Sequence, residues 1–210
     1  MFRNLFNPDS GLMITLSQIT DAIFLSLFFL LGCIPLVTVG SSAAALYDAG
    51  FRAFRKGEKH SWSRFFQSFR RNLVPGILPS LVYLAVLFGT VKGGVALWNY
   101  VAAGGSWVLL SLGLVLGAAV VGILSVLFPM LSRFENSTGA LLKNTLFLSL
   151  ANLPKTLVLG VINGGSLILC ARFIVPVFLL PALSVLLSSF FLEPMFKPYM
   201  GEEEELTVDN

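Results

Sequence analysis

The chain has 210 residues, 56% of them hydrophobic and 12% charged, with a net charge of +3 at neutral pH. Soluble domains carry about 25% charged residues, and a globule keeps too much area in water to hide this much apolar surface. Together with a mean hydropathy of +0.84, the composition excludes an ordinary soluble domain. It predicts an all-α integral membrane bundle of about five transmembrane helices with amphipathic cytoplasmic helices, all within a single membrane domain over residues 1–198.

In chain order, the first predicted span covers residues 14–37. Its stretch Ala22 to Val37, followed by Ser42-Ala43-Ala44-Ala45, imitates a signal peptide. Yet only Arg3 supplies positive charge ahead of it, offset by Asp9, and Asp21 precedes the apolar stretch, so the run reads as a retained span. Asp21 is the acidic residue well inside a candidate span. A carboxylate in lipid is by default a functional hypothesis, here an ion or proton site. The plainer reading places it at the outer interface, because Thr15, Ser17, Gln18 and Thr20 precede it and a helix N-terminus favours negative charge.

Residues 43–56 and 62–73 read as cytoplasmic amphipathic helices. In the first, Leu46, Tyr47, Gly50, Phe51 and Phe54 share one face, while Asp48 and Arg52 are spaced i, i+4 on the other. In the second, Trp62, Phe65, Phe66, Phe69 and Leu73 fall on one arc, opposed by Arg64, Gln67, Ser68 and Arg71 and flanked by Arg70. Aromatic on one side and basic on the other is the pattern of an interfacial helix. Trp62, Arg64, Phe65, Phe66, Phe69, Arg70, Arg71 and Asn72 are therefore the candidate partner or lipid contact; self-packing is the plainer reading, and nucleic acid is not expected.

The remaining predicted spans cover 75–97, 106–131, 154–171 and 173–192. Gly113 and Gly117 form a small-xxx-small pair that calls for close helix packing, within the monomer or in a homo-oligomer. The last span carries Pro176 and Pro181 and is separated from its predecessor by little more than Arg172. Residues 199–210 form an acidic tail with no apolar face, expected to be disordered. The stretch leading to Asn72-Leu73 and Pro75 is echoed by the one leading to Asn152-Leu153-Pro154, each at the start of a span, which suggests an internal repeat.

With five spans, eleven of the fourteen Lys and Arg residues fall on one side, leaving Arg3, Lys92 and Arg172 on the other. The positive-inside bias then puts the N-terminus outside and the C-terminus in the cytoplasm. His60 is the sole histidine, and Cys33 and Cys170 lack metal or redox spacing. No paired-carboxylate, nucleophile or phosphate-binding motif stands out, so neither catalytic residues, metal nor cofactor is expected, and the chain does not read as an enzyme.

Several segments together resemble the YesL-like family of bacterial membrane proteins: Leu5-Phe6-Asn7-Pro8-Asp9-Ser10, Cys33-Ile34-Pro35-Leu36-Val37-Thr38-Val39-Gly40, Ala45-Leu46-Tyr47, Phe65 to Asn72, Arg133-Phe134-Glu135-Asn136 and Asn152-Leu153-Pro154. Members of that family, whose function is unassigned, accompany carbohydrate-uptake ABC transporters and glycan-degrading enzymes in bacterial operons. The resemblance implies a bacterial cell-membrane protein with an accessory or regulatory role beside a carbohydrate ABC importer, and ABC permease subunits as partners. It implies no catalytic residues. The alternative is a small-solute transporter or channel in its own right.

Overall fold

The computed structural model describes residues 11–58, 60–134 and 137–199, with side chains from residue 16 onward. Leu5 to Ser10, Glu135, Asn136 and the acidic stretch from 200 onward lie outside the described residues. Eight α-helices make the fold: α1 Gly11–Gly32, α2 Val39–Arg55, α3 Ser61–Arg71, α4 Ile77–Ala102, α5 Trp107–Arg133, α6 Thr138–Ala151, α7 Leu153–Arg172 and α8 Leu180–Phe196. Short 3-10 turns occupy Leu36–Thr38, Val175–Phe178 and Lys197–Tyr199. No strand occurs among the described residues.

Four stretches are long and apolar enough to cross a bilayer: Ile77–Ala102, Trp107–Arg133, Leu153–Arg172 and Leu180–Tyr199. They correspond to the four later predicted spans. The last starts seven residues later than its predicted boundary of 173. Pro176 lies in the 3-10 turn and Pro181 in the first turn of α8. Proline lacks the amide hydrogen and disfavours helix in the residue before it, so these two prolines mark a helix start, not a helix interior.

The predicted amphipathic helix 43–56 is α2, and it is no surface helix. It is buried on nearly every side, packed against α1, α3, α4, α5 and α8. Its small residues explain this: Gly40, Ser41, Ser42, Ala44, Ala45 and Ala49 let neighbouring helices approach faces that a hydrophobicity pattern scores as weak. Tyr47 and Ala44 enter one core cluster with α5 and α8 (Val126, Leu127, Leu192, Phe196), while Ala45, Leu46 and Ala49 enter a second with Leu25 of α1 and Phe65 of α3.

The α2–α3 connection uses left-handed backbone at Gly57 and at His60, with φ of 64° and 68°. The chain's sole histidine thus stands at the N-cap position of α3, without a side-chain capping hydrogen bond. α6 fills the stretch between the third and fourth predicted spans, of which the sequence marks as helix-like only the end ahead of Asn152. Ser137 caps it by accepting from the Ala140 amide at 3.5 Å, and it buries Leu141, Thr145 and Leu148 beside α5.

Candidate functional site

Two polar assemblies surround α2. In the first, Glu193 of α8 accepts with one carboxylate oxygen from the Tyr47 hydroxyl at 2.8 Å and from Arg133 of α5 at 2.7 Å. The Arg133 guanidinium also lies over the Phe51 ring, 4.4 Å from its centroid. Burial and the neighbouring Glu193 charge hold the Tyr47 hydroxyl well above the usual phenol range, so it stays a donor. Arg133 Nε and the second Glu193 oxygen are buried without a partner. The network ties α2, α5 and α8 together across 146 residues of sequence.

In the second assembly, the buried Asp48 carboxylate bridges Arg52 of its own helix and Arg64 of α3, each at 3.1 Å, and Arg52 reaches on to Glu58. Burial opposes the Arg52 charge, but Asp48 and Glu58 outweigh it and keep its pKa raised. The i, i+4 pair expected from sequence is therefore present within α2 and extends to a second helix, α3. Beside it, Ser61 donates to Asp21 at 2.6 Å. The sequence reading put Asp21 and the segment around residue 57 on opposite faces of the membrane. The hydrogen bond places Asp21 next to the α2–α3 connection, so both lie at one level.

α3 carries the predicted contact residues, and the structure divides them. Its buried face is Ser61, Phe65, Ser68 and Asn72, roughly a quarter turn from the middle of the aromatic arc at 100° per residue. Phe65 is 1% exposed and stacks on the half-buried Phe69, whereas Trp62 is 55% and Phe66 42% exposed. Arg64 is taken by Asp48, Arg71 donates to the Ser132 carbonyl at 2.9 Å, and Arg70 is exposed. Asn72 donates to Ser68, and its own carbonyl accepts from the Ser41 hydroxyl at 2.9 Å.

Between α1, α2, α4, α5, α7 and α8 lies a cavity of about 170 Å³. Its walls are mostly apolar (Phe29, Leu46, Leu124, Phe128), with one polar stripe from α7 and α8. There Asn163 donates to Ser188 at 3.0 Å and Ser184 to Ser166 at 2.6 Å. Asp21 does not line it.

The glycines divide as well. A Cβ on Gly122 of α5 would collide with the Thr156 carbonyl of α7, and one on Gly160 with the Ala118 carbonyl, so these two helices meet backbone to backbone. Gly113 faces Leu97 of α4, which makes the predicted small-residue contact one within the monomer. On α4, by contrast, Gly89 and Gly93 form a GxxxG pair with nothing within 4 Å of an added Cβ.

These features define a polytopic helical membrane protein with a buried charged network at the ends of its helices. A DUF624 domain, described as "Protein of unknown function, DUF624", is found at residues 22–91, from α1 into the middle of α4. No curated protein and no solved structure matches the chain. Sequence reasoning missed Glu193 and Arg133 because each lies just past the predicted end of its span. The available signal was a lone Glu and a lone Arg, of opposite charge, at the same-side ends of two spans.

Proposed function

We propose that this is a non-enzymatic bacterial membrane protein that acts as an accessory or regulatory subunit of a carbohydrate ABC importer, with its C-terminus in the cytoplasm. The observation that carries the reading is α4. This helix is long enough to span, yet it leaves Ala85, Gly89, Gly93 and Ala96 bare on its outer side. Within lipid there is little hydrophobic drive for helix association, and small residues serve close backbone approach between helices. A GxxxG pair unused by its own chain suits a transmembrane helix of another subunit, and the resemblance to the YesL-like family supports a permease in that place.

The test is affinity purification of the native complex, with mass spectrometry, for the wild type and for a Gly89→Leu/Gly93→Leu variant. The variant should keep the thermal stability of the wild type, since a Cβ at either position meets nothing within 4 Å and both residues are exposed, and should lose a permease subunit that the wild type retains. Recovery of no permease by the wild type, or equal recovery by both, rejects the reading; loss of only a second copy of the chain would make α4 a homodimer face.

The second reading, a transporter or channel in its own right, draws on the cavity and its polar stripe. Its candidate coupling carboxylate, Asp21, sits elsewhere, bonded to Ser61. Asp21→Asn should therefore leave any transport by the reconstituted protein unchanged; abolished transport with normal folding would favour this reading.

A further inference from the structure

We infer that the cavity between α1, α2, α4, α5, α7 and α8 is a binding site for an uncharged, mainly apolar molecule that carries a single hydroxyl group. Binding requires no passage across the membrane, so the site does not depend on which reading of the function holds.

No Asp, Glu, Lys, Arg or His lines the cavity. Asn163 and Ser188 stand midway along α7 and α8, at the depth of the hydrocarbon, where an ion without a counter-charge is costly. Tyr47 lines the cavity, but its hydroxyl is taken by Glu193, which does not. A charged ligand therefore finds no partner there.

Most hydroxyl hydrogens of the lining are already used. Ser125 donates to the Val121 carbonyl, Ser166 to the Ile162 carbonyl and Ser184 to Ser166. Asn163 donates to the Leu159 carbonyl and to Ser188. Three groups keep open capacity among the described residues. The Ser188 hydroxyl, 4% exposed, accepts from Asn163 and donates to nothing. The Asn163 side-chain carbonyl accepts from nothing, and the Tyr83 hydroxyl has no partner. Open donors and acceptors in an interior are costly. Two donors and one acceptor, on a wall otherwise built from residues such as Phe29, Leu46, Leu124 and Phe128, suit one hydroxyl, which both gives and takes. They do not suit a sugar, whose many hydroxyls would leave water without finding partners. Size agrees: the cavity holds about 170 Å³, close to the roughly 150 Å³ of an apolar cavity that takes up benzene.

The two halves of the chain line the cavity in one register, which sets it apart from a chance packing gap. Tyr83 follows Asn72 by eleven residues, and Asn163 follows Asn152 by eleven. The paired devices that close α3 and α6 thus each lead to an open hydrogen-bonding group on the wall. Val121, Leu124, Ser125 and Phe128 of α5 have the spacing that Pro181, Ser184, Val185 and Ser188 repeat on α8. Arg133 and Glu193 follow Val121 and Pro181 by twelve residues each, and they pair with one another at 2.7 Å. Membrane proteins built from repeats hold ligands near the midplane, where the repeats meet. Access is from the lipid. α4 packs on α5 and α2, with no comparable packing on α1, and Phe29 of α1 and Tyr83 of α4 stand on either side of that seam.

The test uses the full chain in phospholipid vesicles and an octanol with a photoactivatable diazirine on its chain. Mass spectrometry identifies the labelled residues, with and without excess competitor. Label is expected on Leu124 and Phe128, removed by octanol but not by octane, octyltrimethylammonium or glucose. Tyr83→Phe deletes a hydroxyl that bonds nothing in the fold. It should melt with the wild type, while octanol competes roughly two- to tenfold more weakly. Ser188→Leu fills the space and should abolish the cavity label; if it does not fold, Tyr83→Phe carries the test. Dioctanoylglycerol, with its one free hydroxyl, separates the sources: competition by it makes the ligand a membrane lipid, and its failure where octanol succeeds makes the ligand a free alcohol, the site standing in both cases. Label confined to outward-facing residues such as Phe88 and Leu116 overturns the inference. So does competition by octane equal to that by octanol, which would mean that no hydroxyl is read. Competition by octyltrimethylammonium or glucose, or octanol competition unchanged by Tyr83→Phe, overturns it as well.

Discussion

Glu193 satisfies two donors with one oxygen while its second oxygen and Arg133 Nε stay unpaired in the interior. The pair is buried on both sides, with 6% and 8% of the two side chains exposed. Removing one partner of such a pair costs about 3–5 kcal/mol, because the other charge is left uncompensated, whereas replacing both with apolar groups is often neutral. Arg133→Met should thus lower the melting temperature of the detergent-solubilised protein sharply, and Arg133→Met/Glu193→Leu should recover most of the loss. Equal damage in the single and double variants would mean that the network holds the fold in some way other than charge compensation. α3 offers a second contrast. Phe65→Ala should cost about 3–5 kcal/mol as a buried aromatic truncation, and Phe66→Ala, at a half-exposed site, only about 0.5 kcal/mol. Thermal melts of the two variants would show whether the aromatic residues are energetically divided as their burial divides them. That division was illegible in the sequence, where both residues belong to one arc. The helix turns its Ser61 and Ser68 face inward because small hydroxyl side chains allow closer packing than an aromatic wing, a preference that an apolarity pattern does not score.

At the scale of elements, the apolar runs were legible because lipid demands length and hydrophobicity together, and the four later spans follow from that alone. α6 was legible only at its end, ahead of Asn152. It is helical by capping at Ser137 and by packing against α5, with no strong amphipathic contrast of its own. The Asn-Leu echo, in contrast, extends into the geometry. Asn72 ends α3 and donates to the Ser68 carbonyl; Asn152 ends α6 and donates to the Leu148 carbonyl; a span follows each. Each side chain bonds four residues back, so the same device closes a short helix ahead of a long one. The tightest pairing between elements is α5 with α7, and it depends on glycine. At Gly160 an alanine Cβ meets backbone, which gives way less readily than a side chain. Gly160→Ala should therefore push the two helices apart and lower stability by about 1–3 kcal/mol. Gly165→Ala, where nothing lies within 4 Å, is the matched control on the same helix, and equal melting temperatures for the two variants would contradict the backbone contact.

At the scale of the molecule, α2 is encoded in the first quarter of the chain but completed by its last helix. Tyr47 waits for Glu193, Gly50 packs on Val185, and the Ala182 amide of α8 donates to Ser26 of α1 at 3.2 Å. During synthesis this has a cost in time: the ribosome emits α2 long before it emits α8, and a membrane helix with unmet polar groups is a substrate for quality-control proteases in the interval. A chaperone-like holding step, by the insertion machinery or by a subunit already in the membrane, would shorten that exposure. A chain stopped after Arg172 should accordingly be cleared faster than the full chain in a pulse-chase experiment, with early cuts between α2 and α3. Equal half-lives would mean that the first seven helices mature by themselves. If clearance is fast, the abundance of this protein in the cell is set by how quickly its final helix arrives.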